Sequence, residues 1–373
     1  LRCDDFGFQI GDNRKAMTST IDVGLVGFGL AGRAFHAPVI SAVPGLRLAA
    51  IVQRHGSEAA QAYPDVRIVR SLDELLALPE IRLVVIATPN ETHYPFARLC
   101  LAAGRDVLVD KPFTTTLQEA IDLIEFSKQC GRLITVYQSR RYDGDFQAIL
   151  QLVRSGELGR IVRFETHYDR FRPNFKPNAW REQKIPGAGI LFDIAPHLID
   201  HAMQLFGRPE AMTADVRAER GGQADDAFDI LLHYPNSLRA ALGSSILAVA
   251  QRPRFALLAT QGAYFKQSFD PTEANLRFGK IPKQGPWGAE PEENWGVLTM
   301  ANADGPTTQR RVPGAHTDYR DYYANLRDAI LRRAQPAVTH QQALDVMQAL
   351  ELARASSVQR RTLSWPNPNS LPV

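Results

Sequence analysis

VGLVGFGLAGRAFHAPVI, residues 23 to 40, passes from a short apolar run through three glycines into a segment of helical character. Its centre is Gly27-x-Gly29-x-x-Gly32, directly after a strand-like run and at the opening of a helix. Each glycine has its own physical task. Gly27 permits the tight turn, Gly29 lets backbone approach a pyrophosphate, and Gly32 lets helix and strand pack closely. Unpaired N–H groups at the helix start would then meet the oxyanions. A bare GxGxxG is weak evidence, but this one sits in the strand, turn and helix context that the motif requires. The turn Gly27, Phe28, Gly29, Leu30, Ala31, Gly32 is therefore read as a dinucleotide cradle in preference to a purely structural bend.

Outward from that turn, short apolar runs alternate with amphipathic segments. The runs are 21–27, 46–52, 67–69, 83–88, 106–110 and 133–137, with helices expected near 30–40, 56–62, 71–77, 91–102 and 116–129. The alternation predicts an α/β fold that begins with a Rossmann-type doubly wound parallel sheet over 19–140, its ligand side at the carboxyl ends of the strands. A different texture follows over 141–366: a helix at 142–154, a strand in IVRFETHYDRF, a helix near 190–206, then strand-like runs at 211–219, 226–234, 238–248 and 254–260. Successive strands with few helices predict an open, largely antiparallel sheet, one face packed and the other available to a partner subunit. The stretch 270–315, rich in Pro, Gly, Asn and Glu, reads as long loop with short ordered pieces. Two helices near 317–333 and 339–355, and a short strand in RTLSW, close the chain before a Pro/Asn tail.

With 373 residues the chain exceeds the size of roughly 250–300 at which single cores stop growing, which favours two domains. Its 43 basic and 40 acidic residues form no basic block, so nothing calls for a nucleic-acid partner, and pairs such as Arg140-Arg141 and Arg332-Arg333 read as local features. Cys3, Cys100 and Cys130 include no CxxC and fit a reduced compartment with bystander thiols. No uninterrupted apolar run approaches a membrane span and no signal pattern precedes the first strand, so a cytoplasmic location without a membrane partner is expected. Residues 1–18 are expected to be a disordered or mis-set leader, with Met17 as the natural beginning.

Cofactor preference is read at the end of the second strand, Val52-Gln53-Arg54-His55. An NAD site usually places a carboxylate there for the ribose hydroxyls, whereas the guanidinium of Arg54 suits a 2'-phosphate, so NADP is expected over NAD. Two further strand ends face the same crevice. In ATPNETH, Thr88, Pro89, Asn90 and His93 stand where the chain leaves the fourth strand, although Asn90 and Thr92 read equally well as helix caps. In VLVDKPFTTT, Asp110 and Lys111 precede a proline at the end of a buried strand, which brings the lysine ammonium out at the ligand end of the sheet.

GAGILFDIAPHLIDHAMQLFG, residues 187 to 207, sets Asp193, His197, Asp200 and His201 in an otherwise apolar helix. Positions three or four apart share a face, so Asp193 and His197 converge; Pro196 places them near the helix start. Three readings compete. Asp193 caps the helix and the histidines are core residues; or Asp193, His197 and His201 bind a metal, for which no HExxH or further ligand set is present; or the helix transfers protons beside a dinucleotide. The glycine turn favours the third, and no metal is expected. His197 would accept a hydroxyl proton, Asp193 would orient it, and Lys111 would hold the oxygen. Asp200 reads as structural, and His201 as structural or as part of a substrate pocket.

Taken in order, GFGLAG, ATPNETH, DKP, QSRRYDGDF and GAGILFDIAPHLID resemble the glucose-fructose oxidoreductase and inositol dehydrogenase family, called Gfo/Idh/MocA, from Ile21 to about Leu363. The resemblance implies a Rossmann domain, a second domain whose open sheet forms dimers or tetramers, and a catalytic Lys, Asp and His trio at Lys111, Asp193 and His197. The family usually reads EKP where this chain has Asp110-Lys111-Pro112, a carboxylate of shorter reach. GLAGRAFHAPVI, VDKPFTTT, HYDRFRP and AWREQ most resemble the bacterial NADP-linked scyllo-inositol dehydrogenases, which implies interconversion of scyllo-inositol with its 2-keto form. The resemblance also places Trp180 and Arg181 near the nicotinamide, Arg170 or Arg172 near substrate, and Tyr142 beside them. An NAD-dependent glycoside hydrolase working by transient oxidation and elimination is the enzyme alternative; a dinucleotide-sensing regulator is the alternative without catalysis.

Overall fold

A computed structural model describes residues 20–177, 179–280, 289–302, 305–315 and 318–366. The expected leader and the last residues of the tail lie outside them. The chain divides into two compact units. The first runs to Tyr137 and takes back the segments that begin at Glu273 and Tyr319; the second holds Gln138–Thr272 and the remainder. The boundary expected after 140 thus falls at Tyr137, and the return of a late helix to the first unit is something no local pattern announces.

In the first unit, β1 (Ile21–Val26), β2 (Leu46–Val52), β3 (Arg67–Val69), β4 (Leu83–Ile86), β5 (Asp106–Asp110) and β6 (Ile134–Tyr137) follow the expected runs closely. They lie in the order β3-β2-β1-β4-β5-β6 with every pairing parallel. Helices cover a parallel sheet on both faces, which is why β4 reads as an unbroken apolar run. All four of its side chains are fully buried, each contributing about 1.5–3 kcal/mol. Strand order reverses between β1 and β4, and the crevice outside their carboxyl ends is where this topology binds ligands. The helix Leu117–Gln129 starts in a capping box between Thr116 and Glu119, which satisfies two N–H groups reciprocally. Cys100 is a buried free thiol whose pKa burial pushes up to about 12. Cys130 is disulfide-bonded, a correction to the reading of three bystander thiols, and Cys3 lies outside the described residues.

The second unit holds a nine-stranded sheet. Its strands are β7 (Ile161–His167), β8 (Ala211–Arg217), β9 (Ala227–His233), β10 (Arg239–Ser245), β11 (Phe255–Ala259), β12 (Gly262–Lys266), β13 (Gly296–Asn302), β14 (Gly305–Val312) and β15 (Leu363–Ser364). The order is β14-β13-β12-β11-β7-β10-β9-β8-β15, with only β7 and β10 parallel. The expected largely antiparallel sheet is present and is larger than expected. The stretch 270–315 is not mainly loop: it contributes the β13–β14 hairpin and a helix at Thr272–Arg277. The hairpin escaped the sequence pattern because β14 is an edge strand whose side chains are exposed at every position but the last, so no alternation of apolar and polar residues marks it. The helix Gly189–Phe206 packs on β10, β9 and β7.

Candidate active site

Two of the three glycines of the turn answer to steric demands within the first unit. Gly27 has φ +100°, and a Cβ there would lie 2.7 Å from the Ala87 carbonyl. A Cβ on Gly32 would lie 2.0 Å from the Gly27 carbonyl oxygen, whereas one on Gly29 meets nothing within 4 Å. The first and third glycines are thus required by the fold itself, and the second opens onto space that a pyrophosphate can fill. Beyond Leu30 the chain makes a π-helix, Ala31–His36, before the α-helix Ala37–Ala42 with Pro38 in its first turn. A π segment is rare and commonly accompanies a functional site.

At the end of β2, Arg54 is exposed, beside Gln53 and His55. Glu58, which the sequence reading did not weigh, is hydrogen-bonded by the Gln53 amide and held below the usual carboxylate range by its own and Gln53's hydrogen bonds and by Arg33. Arg70 donates to the Gln53 and Gly56 carbonyls at 2.9 and 3.0 Å. Arg33 and Arg70 thus add guanidinium charge that the sequence reading missed, since they belong to other elements.

Thr88 and Thr92 hydroxyls lie 2.5 Å apart, and Thr92 donates to the Pro89 carbonyl. Asn90 is buried in the short 3-10 turn that follows. His93 is fully enclosed, its ring nitrogens 2.8 Å from the Pro112 carbonyl and 3.1 Å from the Thr88 carbonyl. Burial lowers its pKa, so the ring is a neutral tie between two site loops. Lys111 is half-buried and joined to Pro112 by a cis peptide. Its N–H donates to Asp110 Oδ1 at 2.8 Å. Burial would raise the Asp110 carboxyl, but His36, Lys111 and His93 outweigh it and hold the group ionised below its usual range. His36 is itself buried, with Nδ1 2.6 Å from the Tyr323 hydroxyl and Nε2 3.9 Å from Asp110 Oδ2. This support from the returning helix was not legible in sequence.

In the second unit, Asp193, His197 and His201 follow one another at four-residue spacing along Gly189–Phe206. Contrary to expectation, Pro196 lies inside the helix and not at its start. Asp225 performs the capping: its carboxylate accepts the Leu191 N–H at 2.7 Å and its carbonyl the Ile190 N–H at 2.9 Å. Asp193 instead faces two guanidinia, Arg170 at 3.5 Å and Arg181 at 3.6 Å. Arg170 also lies over the Tyr168 ring and Arg181 over Trp180. Asp193, Arg170, Trp180 and Arg181 therefore form one cluster, with His197 a turn along the same face and 6% exposed.

Tyr168 carries no local sequence signal of its own beside the charged Asp169 and Arg170. Burial would raise its pKa, yet Arg140 and Arg170 pull it down to about 8. Asp169 serves the sheet, bound by Arg252 and the Ser245 N–H. Arg172 is exposed with its N–H on the Ile246 carbonyl, and Tyr142 is half-buried at the end of a 3-10 turn. Asp200 is structural, as expected, held by two hydrogen bonds from Arg141 at 2.8 and 2.6 Å. Of the two readings of His201, the structure supports the structural one and not the pocket residue: it is fully buried, stacked on Phe146 at 4.1 Å and bonded to the Arg140 carbonyl. Among the described residues, no group of three or more His, Cys, Asp or Glu is placed to hold a metal ion, and no helix is long and apolar enough to cross a membrane.

Comparison with known proteins matches both units. Residues 21–138 match the oxidoreductase family with an NAD-binding Rossmann fold, and residues 146–265 match the GFO/IDH/MocA C-terminal domain. The uncharacterized oxidoreductase YdgJ of Escherichia coli is 41% identical, over 93% of this chain and 99% of that protein. The scyllo-inositol 2-dehydrogenase (NADP(+)) IolW of Bacillus subtilis is 33% identical, over 94% and 97%. Among solved structures, yvaA from Bacillus subtilis superposes with a TM-score of 0.90 at 32% identity, covering 94% of this chain and all of that one.

Proposed function

The chain belongs to the Gfo/Idh/MocA family of oxidoreductases, and from that premise we propose that it interconverts a secondary alcohol and a ketone on a cyclic polyol, using NADP(H). The best-supported pair is scyllo-inositol and its 2-keto form, a reading favoured by the likeness to a relative of that name. The observation that carries the chemistry is the capping of the helix by Asp225, which leaves the Asp193 carboxylate to the arginine cluster and to the histidine four residues on.

Gly29 and the turn around it would hold the pyrophosphate, Arg54 with Arg33 the 2'-phosphate, and the loops at Thr88–Asn90 and Asp110–Lys111 the remainder. A nicotinamide bound there supplies the hydride acceptor or donor. In oxidation His197 takes the hydroxyl proton, and Asp193 stabilises the imidazolium that results. Lys111 offsets negative charge on the oxygen. Arg170, Arg172 and Tyr142 contact the hydroxyl-rich ring, and Trp180 with Arg181 covers the nicotinamide side. A homodimer or homotetramer is proposed, assembled through the sheet face on which Leu258 and Phe265 are exposed.

The deciding experiment is a screen of purified protein against inositols, keto-inositols and common sugars with both nicotinamide cofactors, joined to product analysis on a glycoside. Net cofactor reduction without bond cleavage supports the dehydrogenase. Cleavage without net reduction points to the hydrolase, and neither to a sensor.

A further inference from the structure

Two helices of the first unit end in caps of the same kind, beside one cavity. Leu117–Gln129 closes with Gly131 at φ +62°, Gly131 N–H bonded to the Lys128 carbonyl and Arg132 N–H to that of Ser127. Tyr319–Ile330 closes with Arg332 at φ +59°, Arg332 N–H bonded to the Ala329 carbonyl and Arg333 N–H to that of Asp328. Both are Schellman caps, whose left-handed position glycine usually fills. A side chain with Cβ costs roughly 1–2 kcal/mol in that conformation. The second cap holds an arginine where its neighbour holds the cheaper residue.

That arginine lines a cavity of about 690 Å³ together with Arg82, Arg132, Arg333, Asp106 and Gln335. The cavity lies at the amino ends of β4, β5 and β6, the opposite end of the sheet from the glycine turn. Arg82 is engaged there, 3.4 Å from Asp106 and donating to the Ile330 carbonyl at 2.8 Å. Asp106 also accepts the Leu133 N–H. Arg132, Arg332 and Arg333 have no carboxylate within ion-pair distance among the described residues. Asp328, next along the helix, is hydrogen-bonded by Arg327, which offsets its charge, and the Arg333 charge acts on it only as a lesser influence. Basic residues do offset the negative end of a helix dipole, but each end amounts to about half a charge. Four guanidinia against two such ends and one carboxylate leave a surplus of roughly two positive charges. A site that accepts backbone cost to add an unpaired guanidinium to a cavity is arranged for something other than capping.

We propose that this cavity binds a small, multiply charged oxyanion, a phosphate or a polycarboxylate, at a site remote from the cofactor turn. Guanidinium forks match both kinds of oxyanion through paired, charge-assisted hydrogen bonds, and the volume falls in the range of small-molecule sites. The inference stands independently of the oxidoreductase reading.

The test uses the full chain at matched ionic strength, titrated calorimetrically with inorganic pyrophosphate and, separately, with citrate. Binding of either supports the site when Arg332→Gly weakens it about tenfold or more, the loss expected for one charged hydrogen-bonding partner. The unliganded melting temperature of Arg332→Gly should stay level or rise, because glycine suits the conformation; that variant therefore separates binding from folding. Arg132→Ala should weaken the same titration. Pyrophosphate alone identifies a phosphate site and citrate alone a polycarboxylate site. No binding of either probe, or binding that neither substitution alters, as anion held at the glycine turn would be, overturns the proposal.

Discussion

The Asp193 carboxylate faces the Arg170 guanidinium at 3.5 Å, while a different acid, Asp225, meets the N–H groups at the start of the same helix. The two carboxylates should therefore fail in different ways. Asp193→Asn removes a charge and no cap, so its melting temperature should remain near that of the parent while kcat falls by roughly 10²-fold or more. Asp225→Ala removes the cap and should cost about 1–2 kcal/mol of stability. Paired thermal melts and kcat measurements separate them; a destabilised Asp193→Asn with full turnover would contradict the assignment.

His197→Ala should lose about 10²- to 10⁴-fold in kcat, the contribution of a positioned proton acceptor, with dinucleotide affinity nearly unchanged. Steady-state kinetics beside cofactor fluorescence titration checks both halves. Retained turnover would remove His197 from the role.

The glycines predict a contrast. Gly32→Ala drives a Cβ onto the Gly27 carbonyl and should destabilise the protein by about 1–3 kcal/mol, as overpacking does. Gly29→Ala meets nothing in the fold, so it should melt normally yet bind dinucleotide more weakly. Denaturation and cofactor titration on the two variants decide the matter; equal stability losses would contradict it.

Arg54→Ala should lower kcat/KM for NADP by about tenfold or more, through loss of a charge-assisted contact, and change the NAD value little. An unaltered NADP to NAD ratio would assign the 2'-phosphate elsewhere, with Arg33 the next candidate.

His201 makes a prediction about pH. Burial, then the Arg254 charge, hold its pKa well below the ordinary 6.5, so the folded protein keeps the ring neutral. The unfolded chain takes up the proton first as pH falls. The stabilisation from this group is complete above about 6.5 and is lost progressively below it, at up to about 1.4 kcal/mol per pH unit. Between pH 7 and 5 the parent should therefore lose more stability than His201→Asn, although the variant is less stable at pH 7. Parallel urea titrations across that range measure the difference, and identical slopes would show that His201 does not titrate as buried.

Much of the fold was legible because the signals are local. The six runs of the first sheet are continuous and apolar since both faces of a parallel sheet are covered, and the glycine turn declares itself by spacing alone. Lys111, Asp193 and His197 stand out as candidates in the same way, from residue type, periodicity and motif.

Tertiary structure decided whatever depends on partners distant in sequence. Asp225, not position in the helix, determines that Asp193 is no cap, and the helix that Asp225 meets begins at Gly189, so that Pro196 lies inside it. His36 reaches Tyr323 across 287 positions; Phe146 and the Arg140 carbonyl turn His201 into a core residue; and Arg332 gains its meaning from the cavity around it. β14 stayed hidden because an exposed edge strand needs no apolar pattern. Sequence alone marked the six strands of the first sheet, the glycine turn and the candidates for the reactive side chains, because neighbouring residues set backbone geometry. Which acid caps, which histidine is buried and which arginines gather were decided by packing, because burial and charge pairing depend on whatever the folded chain brings near.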